Sequence, residues 1–223
     1  MNELMDRLGY QFNKMILLEE ALTHPSISRK NGKNETVNYE RLEFLGDAVL
    51  GLVIAEWLMD IYPDEDEGAL AKRQAALVRG EALAVVATTL DIGRSIKMAD
   101  GEEAMGGRTN PRNIENALEA IIGAIYQDSG LQDARVFIMK HWDSLVNDME
   151  APPKDAKTEL QEWAQSKGHP IPHYEVIHTE GPSHAPVFTV RLELSGLLPT
   201  EAKGETKKKA EKEAAKRMLE QLE

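Results

Sequence analysis

Tyr39-Glu40-Arg41-Leu42-Glu43-Phe44-Leu45-Gly46-Asp47-Ala48-Val49-Leu50 is the stretch on which the reading of this 223-residue chain turns. Apolar residues continue from it at helical spacing to Tyr62, and Pro63 closes the run, because proline disfavours the helical conformation in the residue before it. A helix from Tyr39 to Tyr62 is predicted. Leu42, Phe44, Leu45, Val49, Leu50, Leu52, Val53 and Ile54 make it apolar on nearly every side, so it is expected to be buried. Yet Glu40, Glu43 and Asp47 fall within about 60° of one another at roughly 100° per residue. Acids stacked on a buried face repel each other, and burial raises their pKa values. A hard divalent ion would compensate, since Mg²⁺ takes oxygen ligands from a few carboxylates and keeps several waters. Gly46, in the middle of the stretch, permits close approach of another backbone. The competing reading is a solvated acidic stripe in which Arg41 pairs one of the acids, and the pattern alone leaves both open.

A second acidic site lies on Ile114-Glu115-Asn116-Ala117-Leu118-Glu119-Ala120-Ile121-Ile122-Gly123-Ala124. Asn116 and Glu119 are spaced i, i+3, so they share a face of an otherwise apolar helix. Two such helices packed face to face would close an oxygen-rich metal site. A di-iron carboxylate bundle would need Glu-x-x-His on its helices. The chain's one such match, Glu175 to His178, falls on a predicted strand, where i and i+3 point to opposite sides.

Outward from these two stretches, residues 1 to 147 read as helix after helix. Ile16–Leu22, Ala69–Val78, Glu81–Leu90, Ile114–Gln127 and Leu131–Val146 carry helical periodicity, while Gly101–Asn110 reads as a flexible loop. Asn147 to Pro153, with two prolines in an acidic stretch, is a plausible linker. Beyond it the period changes. Lys157–Ser166 is helical, but in Val187–Leu194 the residues Phe188, Val190, Leu192 and Leu194 alternate with polar or small ones and would share one strand face. His173–Thr179 and Leu197–Lys203 are weaker strands, and a last helix from Thr206 to Leu222 carries Ala210, Ala214, Met218 and Leu222 in one stripe. The expected fold is a multidomain one: an all-α domain over 1–147, a linker over 148–153, and a small α+β domain of order α-β-β-β-α over 154–223.

Composition sets an apparent obstacle. Lys plus Arg number 26 against 38 Asp plus Glu, a net charge of −12, and a polyanion repels nucleic acid. Divided by domain, residues 1–153 hold 15 bases and 26 acids, whereas 154–223 hold 11 and 12. The second domain is nearly neutral, and Lys203, Lys207, Lys208, Lys209, Lys212, Lys216 and Arg217 crowd within 15 positions of it. Thr206 is a good N-cap, so three lysines occupy the positive end of a helix, where acids are preferred. A bound phosphate would remove that conflict. Cysteine is absent, which excludes a disulfide framework, a thiolate metal site and a thiol nucleophile. No apolar run approaches a membrane span and no secretory signal is read in the first residues, so a cytoplasmic protein without membrane contact is expected.

The segment ERLEFLGDAV from Glu40 to Val49 resembles the signature of the ribonuclease III family, and LEAIIGAIY from Leu118 to Tyr126 resembles that family's second acidic helix. The resemblance spans the chain and implies an endonuclease domain followed by a double-stranded-RNA-binding domain. It implies a homodimer that cuts double-stranded RNA by Mg²⁺-assisted hydrolysis, with Mn²⁺ able to substitute, leaving 5′-phosphate and 3′-hydroxyl ends in rRNA and mRNA processing. Position by position, Glu43, Asp47, Asn116 and Glu119 match the metal-binding set, with Asp47 and Glu119 catalytic and Glu40 supporting. Glu67 matches a position tied to RNA contact, and Phe44 an aromatic that plugs the partner subunit.

The C-terminal stretch from Asp155 onward resembles the double-stranded-RNA-binding domain through Lys157–Glu162, Gly181–His184 and Gly204–Ala210. Such modules read duplex shape across two minor grooves and the phosphates between them. The resemblance puts Thr158, Gln161 and Glu162 in one minor groove, His184 in the next, and Lys207, Lys208 and Lys212 or Lys209 on phosphates. Two positions depart from the family pattern. Asn116 stands where the family usually has Asp, which keeps a carbonyl oxygen but loses a charge, and Tyr39 stands where Asn is common. Glu115, one residue off the face, is a poor substitute. Asn116 therefore sustains an alternative of a different class, a catalytically impaired regulator that binds duplex RNA. A metal phosphohydrolase acting on small substrates is a third reading, which leaves the second domain unused.

Overall fold

A computed structural model describes residues 1–27, 29–30, 36–153, 155–182 and 185–222. The chain separates into two compact units, Met1–Pro153 and Lys154–Glu223, and each is described by itself.

Among its described residues the first unit is helical apart from a two-residue antiparallel pair, β1 (Arg29–Lys30) with β2 (Thr36–Val37), and a single parallel bridge between Thr23 and Lys97. Its α-helices are α1 (Asn2–Leu8), α2 (Met15–Ala21), α3 (Glu40–Ile61), α4 (Glu67–Leu77), α5 (Gly80–Thr89), α6 (Asp100–Ala104), α7 (Pro111–Ser129) and α8 (Leu131–Asn147). The long helix read from 39–62 is α3, and α7 is its principal packing partner, with α2, α5 and α8 gathered around α7. The crossing of α3 and α7 is made by glycines. A Cβ on Gly46 would stand 1.7 Å from the Glu119 carbonyl oxygen, and one on Gly123 would stand 2.2 Å from the Leu42 carbonyl oxygen. Only residues without side chains allow such contact. Leu42, Val49, Leu50, Val53 and Ile54 of α3 meet Ala117, Leu118, Ile121, Ile122 and Ile125 of α7 in the core. Trp142 of α8 is fully buried, and its indole N–H donates to the Leu77 carbonyl at 2.8 Å.

Two expectations need correction. Helix α3 is not buried all round: Phe44 is 81% exposed and Leu52 55%, so an apolar strip of this helix faces away from the core. The stretch 101–110 is ordered rather than a flexible loop, forming α6 and a 3₁₀ turn at Gly107–Thr109. Arg108 holds it, donating to the Ile96 and Arg94 carbonyls at 2.7 and 3.1 Å and pairing with Glu103.

A buried arginine closes the far end of this unit. Arg73 on α4 is 1% exposed. Its Nε and Nη2 donate to the two Glu65 carboxylate oxygens at 2.8 and 2.7 Å, and its Nη1 donates to the Met149 carbonyl at 2.6 Å. The guanidinium lies 3.7 Å over the Tyr62 ring, and the Tyr62 hydroxyl reaches the same carbonyl. The chain leaving α8 is thereby tied to the turn after α3.

The second unit runs α9 (Ala156–Ser166), β3 (His173–Glu180), β4 (Val187–Glu193), β5 (Thr200–Gly204), α10 (Lys207–Glu220). The strands form one antiparallel sheet in that order. Leu160 and Ala164 of α9, Leu192, Leu194 and Ala202 of the sheet region and Ala214, Ala215 and Met218 of α10 make one core. Gly181, at φ +94° in the β3–β4 connection, adopts a left-handed conformation and would clash with the Ala185 carbonyl if it carried a side chain. Among the described residues no helix is long and apolar enough to cross a membrane.

Candidate active site and nucleic-acid interface

The Gly46 contact sets where the acids go. It presses the Glu119 backbone against α3 one residue before Asp47, so the polar positions of the two helices open onto one cleft. That cleft, about 520 Å³, is lined by Glu40, Glu43, Asp47, Asn116 and Glu119 with Tyr39, Phe44, Arg112 and Pro25. Glu40 is exposed. Its carboxylate accepts from the Asn38 side-chain amide at 2.8 Å, while its own backbone N–H donates to the Asn38 side-chain oxygen Oδ1 at 3.0 Å. Asn38, 4% exposed, thus holds Glu40 at the first residue of α3, a role not read from the sequence. Its signal was there, an amide residue just ahead of the first acid.

The cleft is electrostatically unbalanced. Burial, then the charges of Asp47, Glu43 and Glu115, push the Glu119 carboxyl up to about 7. Burial and Glu40 also raise Glu43, against the pull of Arg112. Burial and Glu43 push the Tyr39 phenol up to about 12, while the Asn116 side chain beside it works the other way. Glu115 turns elsewhere: its carboxylate lies against Gly80, the first residue of α5. Among the described residues no three His, Cys, Asp or Glu side chains are already drawn together as a metal cage. The donors present are all hard oxygens, with an amide among them and open space beside them. This suits an ion that keeps part of its water shell.

In the second unit the Thr206 hydroxyl accepts from the Lys209 backbone N–H at 3.1 Å, capping α10. Lys207, Lys208 and Lys209 occupy its exposed first turn. Lys209 pairs with Glu205 and Lys212 with Asp155, the residue that caps α9. Among the described residues Lys207 and Lys208 have no acidic partner within ion-pair distance. Thr158, Gln161 and Glu162 are exposed on α9, opposite the buried Leu160 and Ala164.

Residues 14–144 match a family model described as Ribonuclease-III-like. A ribonuclease 3 from Ehrlichia ruminantium is 50% identical over 98% of this chain and 95% of its own length. The chain belongs to the ribonuclease III family. A ribonuclease 3 from Wolbachia pipientis is 46% identical over 96% of this chain and 93% of its own. The crystallised nuclease domain of a ribonuclease III from Campylobacter jejuni matches at 40% identity and a TM-score of 0.60, covering 65% of this chain and 95% of that one. Residues 156–222 match the double-stranded RNA binding motif. The chain is therefore a ribonuclease III family enzyme with a helical nuclease unit ahead of a duplex-RNA-binding unit.

Within that family frame, the structure brings Glu40, Glu43, Asp47, Asn116 and Glu119 into one cleft. Glu67 is not among them. It begins α4 and borders a separate apolar groove with Ala55, Leu58, Met59 and Leu70. On the second unit Thr158, Gln161, Glu162, Lys207, Lys208 and Lys212 are all at the surface. Ser183 and His184 lie outside the described residues.

Proposed function

We propose that this ribonuclease III family member is an endoribonuclease that cleaves double-stranded RNA by Mg²⁺-assisted hydrolysis, leaving 5′-phosphate and 3′-hydroxyl ends. One observation supports this most: Glu43, Asp47 and Glu119 share a cleft in which Glu119 keeps its proton to about 7. Burial does most of this and the neighbouring carboxylates of Asp47 and Glu43 add to it, a charge balance that a bound cation would reverse. Glu43, Asp47, Asn116 and Glu119 would hold the ion, with Glu40, fixed by Asn38, supporting them. When bound, Mg²⁺ or Mn²⁺ lowers the pKa of a coordinated water and offsets the charge of the scissile phosphate. Asp47 and Glu119 carry the catalytic role, and Arg112 at the cleft edge offers the phosphate a cation. Residues 1–147 form the endonuclease domain, 148–153 the linker and 154–223 the duplex-binding domain. There, Thr158, Gln161, Glu162 and His184 read minor grooves while Lys207, Lys208 and Lys212 hold phosphates. Lys207 and Lys208, at a helix N-terminus and without an acidic partner among the described residues, support that assignment.

The protein works as a homodimer in this reading. The outward strip of α3, with Phe44 and Leu52 exposed, leaves an apolar surface of the kind that marks an interface, and a relative's nuclease domain has been described by its dimer-forming region. We place the enzyme in the cytoplasm, acting on structured precursors of ribosomal and messenger RNA.

The test is a perfect RNA duplex offered to the parent, Asp47→Ala and Glu119→Ala proteins. Both variants should lose cleavage with Mg²⁺ and retain gel-shift binding in Ca²⁺. Residual cutting by either variant at the parent's rate would refute the assignment. A second reading, a duplex-binding regulator without cleavage, rests on Asn116. It would be upheld by an inert parent that gains cleavage on Asn116→Asp.

A further inference from the structure

The first six residues of α10, Lys207 to Lys212, hold four lysines and one acid, Glu211. That acid stands one turn from both lysines assigned to phosphates. It is i+4 from Lys207 and i+3 from Lys208, the spacings at which side chains on one helix meet. A free carboxylate there would pair with either lysine and repel the phosphate they are to hold. Yet among the described residues neither lysine has an acidic partner within ion-pair distance.

The reason lies on α9. Lys157 Nζ donates to Glu211 Oε2 at 2.6 Å, so the carboxylate is engaged by the neighbouring helix and not by its own. The same ammonium lies 4.5 Å from the centre of the Tyr174 ring on β3, a cation–π contact. The Lys157 backbone N–H donates to the Asp155 carboxylate at 3.1 Å, which fixes the other end of the residue. The two side chains of the pair are 36% and 26% exposed, so solvent screens them less than it does an open surface pair. Nearby, Glu205 pairs with Lys209 at 2.8 Å and Asp155 with Lys212 at 3.4 Å. Three acids about the start of α10 are thus each matched to a base that is neither Lys207 nor Lys208.

We propose that Lys157 is a positioning residue for duplex binding: by drawing Glu211 across to α9 it neutralises the acid one turn from Lys207 and Lys208 and leaves both lysines to the RNA backbone. This rests on the assignment of Lys207 and Lys208 to phosphates. Lys157 itself holds no phosphate. It acts through the two lysines that do.

The test is the affinity of the full chain for a short RNA duplex, measured by fluorescence anisotropy in Ca²⁺ over a range of salt, with thermal melts to establish that each variant is folded. Replacing Lys207 and Lys208 together by alanine should lower the log–log salt slope by about 2. An unchanged slope would overturn the phosphate assignment, and this inference with it. Lys157→Met should weaken binding about fivefold, whereas Lys157→Arg, which keeps the charge, should bind as the parent does. Glu211→Gln alone should change affinity by less than about twofold, because its charge is already offset. The decisive protein carries Lys157→Met and Glu211→Gln together. It should return to within about twofold of the parent, since no carboxylate is left to compete for the lysines. A double variant as weak as Lys157→Met would show that Lys157 contacts RNA directly or only packs α9, and would overturn the proposal. So would an undiminished affinity in Lys157→Met when the two lysines are shown to matter.

Discussion

Gly46 of α3 rests on the backbone carbonyl of Glu119 in α7, with space for no atom between them. This contact joins the two acidic helices and presents Asp47 and Glu119 to one cleft. It ties the fold to the proposed chemistry, since what spaces the helices also spaces the carboxylates.

Gly46→Ala should therefore damage both. The methyl group would meet backbone, which cannot rotate away, so the helices must part. We expect a loss of about 3 kcal/mol or more of stability, together with weakened divalent-ion binding in whatever fraction folds. Urea unfolding alongside Mn²⁺ titration checks it. Gly51→Ala on the same helix is the control, because its nearest atom beyond the helix is the end of the Gln74 side chain at 3.9 Å.

The raised Glu119 carboxyl predicts a pH dependence whose sign is fixed. In the folded, ion-free protein Glu119 keeps its proton to about 7, whereas the unfolded chain releases it near the ordinary value of 4.5. Between those values the native state binds more protons, so ion-free stability falls as pH rises through the window. Divalent ions should restore stability at the upper end, where they no longer compete with the proton. Thermal melts from pH 5 to 8, with and without Mg²⁺, should show this slope. Glu119→Gln should flatten it.

Arg73 predicts a stability effect remote from the cleft. Arg73→Ala removes the donor to the Met149 carbonyl and the partner of Glu65. The Met149 carbonyl keeps only the longer bond from the Tyr62 hydroxyl, and losing the buried charge-assisted contacts should cost about 2 kcal/mol. Arg73→Lys should recover only part, because an ammonium does not reproduce the paired guanidinium contacts. Limited proteolysis near residues 148–153 would report the released chain as faster cleavage.

Lys207 and Lys208 predict the salt behaviour of duplex binding. Each alanine substitution should reduce the log–log salt slope of the RNA affinity by about 1 while leaving the melting of the nuclease unit unchanged. Thr206→Ala should weaken binding through the loss of the α10 cap.

Much of this was legible in sequence because it rests on periodicity and on breakers. The run ended by Pro63 became α3, and the alternation around Val190 and Leu192 became β4. The acids of Glu40–Asp47 and the pair Asn116 and Glu119 converged because Gly46 and Gly123 mark a close crossing, and glycine is visible in a sequence. What stayed hidden has a common cause. Helical spacing says which residues are apolar but not whether their face meets this chain's core, so the periodicity alone put Leu52 in the interior, where it does not lie, and left Phe44, which the resemblance turns outward, undecided. Helix α1 escaped because seven residues, about two turns, are too few to display a period. Arg73 reads as an ordinary surface base, and only its distant partners, Glu65 and Met149, explain its burial. The net charge of −12 misled for a related reason: an average over the chain conceals a carboxylate cleft on one unit and a lysine-tipped helix on the other.

The proposed activity is hydrolysis of duplex RNA by the α3–α7 cleft with Mg²⁺, despite Asn116. The direct measurement is cleavage of a long, perfectly paired RNA by the unmodified protein as Mg²⁺ is titrated over a wide range. The expected products are shortened duplexes with 5′-phosphate and 3′-hydroxyl ends, at Mg²⁺ concentrations that fall when Asn116→Asp restores the missing charge. An intact duplex at every Mg²⁺ concentration would contradict it.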